Sequence, residues 1–414
     1  MSAFSIPLSG LAATSDSLNV IANNLANLNT DGYKSQSLNF ADVFNQMQGV
    51  SGNGDPIQVG SGVQVQGQSS NFTNGTLSST GIASNMALQG NGFFVVESAA
   101  NKQTSFTRDG DFTVNAQGQL CTPQGQLVMG YPAVGGVVQT NSALGPISVN
   151  QASNIPAVAT SSFQINANLN ASAAAGDTFT TPITIYDSLG TSHVMTVQFT
   201  NNGANTWNYN ITLPAADTGS TGAGSSLASG TLNFDSSGNL ISPSSPISDI
   251  KVSGLADGAA PMNMSWNLTG AGGTPSITQQ DATSATSSTA QNGYGVGTLT
   301  GYSVLSDGTV QGQFSNDQTL ALGRVAIAGF ANVQGLQQIG NNDYLSTFAS
   351  GSAVIGEAGA GGNGTITGGS VEESNVSLST QFANMIVAQQ GYEANAKVLT
   401  TMDQVSQATI QLIS

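Results

Sequence analysis

The sequence predicts a mainly β protein with α-helical termini, and three observations lead to this fold class. Apolar residues recur every three or four positions near both ends of the chain, whereas between the ends they alternate with polar residues. Glycine accounts for 51 of the 414 residues, and turn signals such as Asn202-Gly203 separate the alternating segments. Only 7% of the residues are charged, and the uncharged polar residues that replace them are typical of short strands joined by tight turns.

The first thirty residues have the spacing of a helix. Leucines seven positions apart form the narrow apolar seam of a coiled-coil-like helix. The seam positions are Leu11, Leu18, Ile21, Leu25 and Leu28. We expect the helix to end at Asp31-Gly32, because glycine readily adopts the left-handed conformation that closes helices. Taken alone, the segment would also suit an ordinary amphipathic helix packed on a globular core.

The last forty residues repeat this signal without an interrupting proline. Their seam positions are Leu378, Phe382, Met385, Ala388, Tyr392, Ala396, Leu399 and Met402. Ser374 or Asn375 is suited to cap the start of the helix. Each end of the chain therefore carries an apolar seam with nothing local to bury it. Pairing the two ends, and packing such pairs between subunits, is the simplest way to cover both seams.

Alternation in the middle of the chain predicts strands, for example at Met195, Val197 and Phe199 and again over Trp207–Leu213. Flexible Gly/Ser/Thr-rich segments suggest where domains meet. These segments are Gly49–Gly62, Ala216–Gly230, Thr269–Asn292 and Gly356–Ser370. Their mirror-like placement predicts nested, discontinuous domains. The expected parts are a helical domain of 1–34 and 370–414, a linker of 35–76, an inner β domain of 77–149 and 291–369, and an outer β domain of 150–290.

Charge excludes several classes of partner. The net charge is −16, and the six Lys and Arg residues are dispersed, so a nucleic-acid interface and binding to anionic membranes are both disfavoured. The apolar runs, such as Phe93–Val96, are too short to insert into a bilayer. No Lys or Arg precedes Lys34, so we expect no cleaved signal peptide and, for an exported protein, another route.

No residues form a recognisable catalytic or metal-binding motif, so we expect neither enzyme activity nor a cofactor. His193, the single histidine, lies in an expected strand and is interpreted as a plain strand residue. Cys121 is interpreted as a small buried apolar residue, and one cysteine cannot form an intrachain disulfide. Asp109–Leu120 lacks the glycine and glutamate of a calcium loop, and Gly90–Gly92 lacks the third glycine of a dinucleotide fingerprint.

Two long segments resemble a known family. Ser17–Lys34, SLNVIANNLANLNTDGYK, and Val371–Val405, beginning VEESNVSLSTQFANMIVAQQ, resemble the opening and closing signatures of the bacterial flagellar axial proteins, which are rod, hook and hook-associated subunits. Ala87–Val96 and Phe106–Leu120 look like this family's first β domain, and Gly323–Tyr344 looks like its returning half. The motif residues carried over are Asn23, Asn24, Asn27, Gly32, Tyr33 and Asn375.

Within the family, the distal rod subunit is similar at both ends but lacks an insert corresponding to 150–290. Ile183–Thr200 of this insert is similar to the outer domain of hook subunits. The resemblance therefore favours a hook subunit over a distal rod or hook-associated axial subunit. A secreted surface adhesin or surface-layer protein is an alternative of another class, which explains the composition but not the two terminal motifs.

The resemblance also implies an assembly. The terminal helices would form an inner coiled-coil-like tube, with the β domains stacked radially outward, in a curved and flexible hook that acts as a universal joint between rod and filament. The implied partners are further copies of the chain, the distal rod protein, the hook cap, the hook–filament junction protein and the flagellar type III export apparatus. No nucleic acid and no membrane insertion are expected, and the implied location is the extracellular hook at the bacterial cell surface.

Overall fold

A computed structural model of the chain describes residues 4–43, 46–50, 56–150, 153–222 and 224–413. The chain divides into two compact units. Unit 1 comprises residues 1–151, 301–312 and 320–414, and unit 2 comprises residues 152–300 and 313–319. Strands dominate both units, and the two long helices lie at the two ends of the chain, which confirms the predicted fold class. No helix among the described residues is long and apolar enough to cross a membrane.

The first part of unit 1 contains helix α1 (Ser5–Ala26) and thirteen strands. These are β1 (Gln36–Asp42), β2 (Gln46–Val50), β3 (Pro56–Val59), β4 (Val63–Ser70), β5 (Leu77–Ser79), β6 (Met86–Gln89), β7 (Phe93–Ser98), β8 (Thr104–Thr107), β9 (Thr113–Val114), β10 (Leu120–Cys121), β11 (Gln126–Val134), β12 (Val137–Val138) and β13 (Gly145–Pro146).

The chain then passes through unit 2 and returns to unit 1. The next strands are β14 (Asn154–Ile155), β15 (Ser162–Asn170), β16 (Thr178–Tyr186), β17 (Ser192–Gly203), β18 (Thr206–Leu213), β19 (Ser225–Phe234), β20 (Leu240–Ser242), β21 (Ile247–Val252), β22 (Met262–Asn267), β23 (Ile277–Gln280), β24 (Ala285–Gln291), β25 (Gly297–Val304) and β26 (Thr309–Phe314). The last part of unit 1 contains β27 (Thr319–Gly329), β28 (Gln337–Gly340), β29 (Asp343–Leu345), β30 (Val354–Glu357), β31 (Thr365–Gly368), β32 (Ser370–Glu372) and helix α2 (Leu378–Ile413).

Unit 1 is built by strands from both halves of the chain. Its main sheet has the antiparallel order β27-β11-β7-β8-β29-β28, so returning strands flank the earlier ones on both sides. Phe93–Val96 of β7 is buried throughout, as expected for a central strand. Two short ladders, β6 with β31 and β5 with β32, bring the returning chain back to the point where α2 begins.

Unit 2 is a sandwich of two sheets. One sheet has the order β21-β22-β15-β23, with β24 also paired to β15, and the other has the order β16-β17-β18-β19-β20. Alternate side chains of both sheets face a shared core, which includes Phe199, Trp207 and Trp266. The predicted alternation is confirmed, since Val197 pairs with Ile211 and Phe199 with Tyr209. The predicted insert, 150–290, overlaps most of this unit.

Several predicted boundaries are corrected by strand pairing. Residues 35–76 are not simply a linker, because β1 pairs with β4 and β2 with β3; residues 51–55 of this segment lie outside the described residues. Of the other segments read as flexible, Ala216–Gly230 contains the start of β19, Thr269–Asn292 contains β23 and β24, and Gly356–Ser370 contains β31. Small and polar residues form strands here because neighbouring strands satisfy their backbones.

Both helix ends also differ from expectation. Helix α1 ends at Ala26, and Gly32, although left-handed with φ 68°, lies in the turn beyond it. Asn27 Nδ2 donates to Asn23 O at 2.9 Å, which illustrates how asparagine side chains compete with helical backbone bonding. Helix α2 begins at Leu378, after Ser377, whose hydroxyl accepts from Thr380 N at 3.5 Å; neither of the two predicted caps is used.

Candidate functional site

Helices α1 and α2 lie antiparallel and in register. The facing pairs are Gly10 with Asn395, Thr14 with Gly391, and Asn24 with Gln381. Each step forward along α1 is matched by one step back along α2, since the two residue numbers of every pair add up to 405. A Cβ at Gly10 would stand 2.8 Å from the side chain of Asn395, and a Cβ at Gly391 would stand 3.3 Å from Thr14. Small residues therefore let the two backbones approach closely.

Apart from Ile21, the buried side of this helix pair is small or polar. It contains Ala13, Ile21, Asn24, Gln381 and Ala388. Asn24 Nδ2 donates to Gln381 Oε1 at 3.3 Å, so the two buried amides satisfy each other across the pair. We call this contact the intrachain seam. It leaves most of the apolar side chains of α2 unused.

The apolar line predicted on α2 lies mostly beside the intrachain seam, although its member Ala388 is buried in the seam. Leu378, Phe382 and Tyr392 are 44, 47 and 43% exposed. The half-buried members are Met385, Ala396, Leu399 and Met402. One residue turns a helix by about 100°, which places this line on the flank next to the seam. Ile21 and Ala388 are the predicted positions that are buried where the two helices of one chain meet, and the role of the remaining positions between subunits stays a prediction.

On α1, the predicted positions divide similarly. Ile21 is buried in the intrachain seam, whereas Leu11, Leu18 and Leu25 are half-buried. Leu28 lies beyond the end of the helix. Sequence periodicity found the helices and their apolar content but not the side on which they meet, because small residues carry little hydrophobic signal.

The two helices differ in length. Helix α1 has 22 residues and α2 has 36, or about 33 and 54 Å. The register places Thr401 opposite Phe4, the first described residue of the chain, so the last turns of α2 continue past the described part of α1. Val405 and Ile410, in this continuation, are exposed.

A groove of about 720 Å³ runs between α1, α2 and the hairpin of β1 and β4. Its apolar lining includes Val20, Leu38, Phe40, Val63 and Val387. Phe40 and Val387 are exposed. An uncovered apolar groove of this kind is typical of an interaction surface.

The motif residues of the two terminal segments meet where α1 leads into β1. Asn24 Oδ1 accepts from Gln36 N at 2.9 Å and from Tyr33 Oη at 3.2 Å, and Asn24 Nδ2 donates to Gln36 O at 2.8 Å. Asn24 therefore fixes the direction in which the chain leaves α1, besides contacting α2. We call this region the helix–strand joint; it comprises residues 23–36 and 370–381.

Asn375 occupies the other side of the joint. Its Oδ1 accepts from Ser35 N at 2.7 Å, and its Nδ2 donates to Asn71 O at 2.7 Å and to Thr73 O at 3.0 Å. Gly32 N donates to Glu372 O at 2.6 Å. Residues from both ends of the sequence thus hold one another in place, which gives the motif asparagines and glycine a structural role at this position.

A buried charge cluster completes the joint, and the sequence reading missed it. Glu372 Oε1 lies 2.7 Å from Lys34 Nζ, and Glu372 Oε2 lies 3.5 Å from Arg108 Nη1. All three side chains are almost fully buried. Burial lowers the pKa of Lys34 and of Arg108, and the charge and hydrogen bonds of Glu372 oppose this in both. The sequence feature that could have indicated the cluster is the presence of Lys34 and Glu372 in terminal segments that otherwise carry few charged residues.

The other residues considered from the sequence lie elsewhere. Cys121 is buried in β10. Gly90 and Gly92 have positive φ and lie in the turn between β6 and β7. Asp109 is in unit 1, where burial chiefly raises its pKa to about 6, opposed by a hydrogen bond from Asp111 N and supported by neighbouring carboxylates. His193 lies in β17 as predicted, but it is buried against Asp187 and is not a plain strand residue.

Comparison with protein families gives four matches along the chain. Residues 6–34 match "Flagella basal body rod protein", and residues 367–412 match "Flagellar basal body rod FlgEFG protein C-terminal". Residues 87–206 match "Flagellar hook protein FlgE/F/G D1 domain", and residues 154–294 match "Flagellar basal body protein FlaE D2 domain". The last two matches overlap over residues that lie in unit 2.

Full-length relatives agree with these matches. Proteins named flagellar hook protein FlgE are 35% identical in Escherichia coli (strain K12), covering 99% of this chain and 100% of that protein, and 35% identical in Salmonella typhimurium, covering 99% of each. The protein of that name from Borreliella burgdorferi is 32% identical and covers 98% of each chain. A crystal structure of Helicobacter pylori flagellar hook protein FlgE2 shares the fold, with a TM-score of 0.53 and 15% identity over 70% of this chain and 98% of that one.

Proposed function

This chain belongs to the flagellar hook protein family and is a structural subunit of the flagellar hook, and from that premise we propose that its terminal helices supply the contacts through which subunits polymerise. The observation that carries the proposal is the position of the apolar line on α2. The intrachain seam is filled mainly by small and polar residues, and Leu378, Phe382 and Tyr392 of the apolar line are exposed next to it. Helices of neighbouring copies would cover this line.

The groove and the long end of α2 extend this surface. An apolar groove bordered by helix is suited to receive another helix, and within the described residues the long helices with an apolar face are α1 and α2. The occupant we propose is therefore a terminal helix from a second copy. Its burial would remove exposed Phe40, Val387 and Val405 from water.

The wider assembly follows from the same premise. We propose an inner tube of terminal helices, with the β units further out, in a curved joint that transmits torque from rod to filament. The proposed partners at the two ends are the distal rod protein and the hook–filament junction protein, with a hook cap during growth. Export through the flagellar type III apparatus, without cleavage, and the absence of catalytic activity belong to this proposal.

The test is a single charge on the exposed apolar line. Phe382→Asp should abolish polymerisation, because assembly would bury an unpaired carboxylate, while the monomer keeps its fold, because Phe382 is already half exposed. The readouts are circular dichroism of the monomer and negative-stain imaging of polymers. Leu25→Asp and Leu399→Asp should also block assembly.

Gln390→Asp is the matched control, because it adds the same charge to an exposed position about 80° round α2 from Phe382, on the side away from the intrachain seam. It should polymerise much as the unchanged chain does. Normal curved tubes from Phe382→Asp would contradict the assignment of the apolar line. Loss of tubes from both variants alike would show that an added charge anywhere on α2 prevents assembly. The experiment would then give no support for the apolar line as the face that contacts a neighbouring copy.

A further inference from the structure

Unit 2 contains a histidine surrounded by three aspartates. His193 is the single histidine of the chain, and its side chain is 5% exposed. Asp187 follows β16, Asp217 lies in a short 3₁₀ turn after β18, and Asp257 lies between β21 and β22. Three separate segments therefore bring their carboxylates to one imidazole.

Two carboxylates face the same ring nitrogen. His193 Nε2 lies 3.0 Å from Asp187 Oδ2 and 3.9 Å from Asp257 Oδ2, and these three atoms all lie within 4.8 Å of one another. Asp187 is fully buried, whereas the side chain of Asp257 is about a quarter exposed and opens the cluster to solvent. Two carboxylate oxygens so close together repel each other when both are ionised, and a cation bound between them would relieve that repulsion.

The remaining oxygens of these carboxylates are already fixed. Asp187 Oδ1 accepts from Leu189 N at 2.8 Å and from Thr191 N at 2.9 Å, and Asp257 Oδ1 accepts from Ala259 N at 3.0 Å. Backbone bonding thus holds one oxygen of each residue and turns the other towards Nε2. Such preorganisation is what a ligand set requires.

The other ring nitrogen supplies an independent observation. His193 Nδ1 is buried and makes no well-aligned hydrogen bond in the described structure, yet it faces Asp217 Oδ2 at 3.5 Å. In metal sites, the nitrogen of a ligating histidine that does not bind the metal commonly donates to a carboxylate, which fixes the tautomer and the ring orientation. Asp217 is placed to accept from Nδ1, while Nε2 faces the carboxylates of Asp187 and Asp257.

We propose that Asp187, His193 and Asp257 bind a divalent transition-metal ion through Oδ2, Nε2 and Oδ2, with Asp217 orienting the imidazole. One nitrogen and two carboxylate oxygens suit Zn²⁺ better than Mg²⁺ or Ca²⁺, which prefer oxygen alone. Water would occupy the position open to solvent. The ion would join the β16–β17 turn to two other loops of unit 2 and stabilise the folded unit, since the ligands meet only after folding.

Counting cysteines and histidines from the sequence does not reveal this site. The chain has one of each, which argues against a structural zinc site made of those residues. Aspartates supply most of the ligands here, and they are spread over seventy residues of sequence. Only the pairing of β16 with β17 and the return of the 254–260 loop place them together.

The test uses the full-length chain with ¹⁵N-labelled histidine, whose ring signals have a single origin. Titration with ZnCl₂ should shift the Nε2 resonance in a saturable way at one equivalent, while Nδ1 stays protonated. Zinc at a hundredfold excess over Kd should raise the melting temperature of unit 2 by roughly 5–10 °C. CaCl₂ should not move the Nε2 resonance.

Variants separate a built site from adventitious binding. Asp257→Asn, at a partly exposed loop position, should fold normally and weaken zinc binding by at least about tenfold, and Asp217→Asn should weaken it by about 10–100-fold. Asp281→Asn, an exposed aspartate of the same unit, is the control and should bind as the unchanged chain does. An unchanged Nε2 resonance, or equal zinc affinity in Asp257→Asn, would overturn the proposal. In the first case the cluster does not bind zinc, and in the second the imidazole binds zinc without the carboxylates.

Discussion

Lys34 Nζ and Glu372 Oε1 are 2.7 Å apart, and both side chains are fully buried. This ion pair joins the last residue of the N-terminal signature to the segment that leads into α2. Gly75 N donates to the same Glu372 oxygen at 2.7 Å, so three distant parts of the sequence converge on one carboxylate. The charges lie where the two terminal helices attach to the β part of unit 1.

We predict that Glu372→Gln destabilises unit 1 by about 3–5 kcal/mol, because the substitution leaves Lys34 and Arg108 buried without a negative partner. Urea unfolding followed by circular dichroism measures the loss. Glu373→Gln is the control, since the neighbouring side chain is exposed and contacts only Thr76 Oγ1 among the described groups. It should cost less than about 1 kcal/mol. Equal effects of the two substitutions would contradict the structural importance of the buried pair.

Gly32 is predicted to tolerate no side chain. It has φ 68°, and a Cβ would stand 2.6 Å from the backbone nitrogen of Asp109. Gly32→Ala combines backbone strain with a steric clash. The clash is with backbone atoms, which cannot move aside by changing a side-chain rotamer. Gly81→Ala is the matched control, with φ 70° but nothing within 4 Å of the added atom. Gly81→Ala should cost about 1–2 kcal/mol and Gly32→Ala clearly more in the same unfolding assay. A smaller cost at Gly32 than at Gly81 would show that the joint readily rearranges.

Asp109 should make unit 1 more stable in mild acid. Its pKa of about 6 in the folded chain is above the unfolded value of 3.8, so the folded state holds the proton more tightly. This contribution to stability is therefore present at low pH and is lost as the pH rises through about 6. Asp109→Asn should be more stable than the unchanged chain at pH 7, by up to roughly 2 kcal/mol, with the difference vanishing towards pH 4. Unfolding curves of both proteins at pH 4, 5.5 and 7 measure this, with the exposed Asp16→Asn as a correction for net charge. A constant difference across these pH values would refute the assignment.

The elements that could be predicted from the sequence are those with a regular repeat of apolar residues. The strands around Phe199 and Tyr209 and the terminal helices follow from repeats of two and of three to four residues. The strands at Ala285–Gln291 and Gln46–Val50 were missed, because Ser, Thr, Gln and Gly carry no apolar pattern and form strands only where a neighbour pairs with them.

The same limit applies to the residues of the candidate site. The apolar residues on α2 could be predicted, but the face that meets α1 could not, because it consists of Gly391, Ala388 and two amides. The motif asparagines were identified through family resemblance alone. The bonding of Asn375 to Ser35 and Thr73 depends on tertiary contacts that join residues more than three hundred positions apart.

Unit 2 should fold by itself. The buried apolar cluster that forms its sandwich core lies, among the described residues, between Phe163 and Ile277. The insert predicted from the sequence, 150–290, is slightly too short, since it omits Gln291, which pairs with Phe163, and Asn292, whose Oδ1 accepts from Ser161 N and Ser162 N at 2.9 Å. A fragment of residues 153–300 retains these contacts. It should give strand-type circular dichroism and a cooperative melt, whereas residues 150–290 should melt roughly 5–10 °C lower, because each lost hydrogen bond contributes about 1 kcal/mol. Equal melting temperatures would mean that the β24 end contributes little, and an unfolded 153–300 fragment would mean that unit 2 depends on its neighbour for its core.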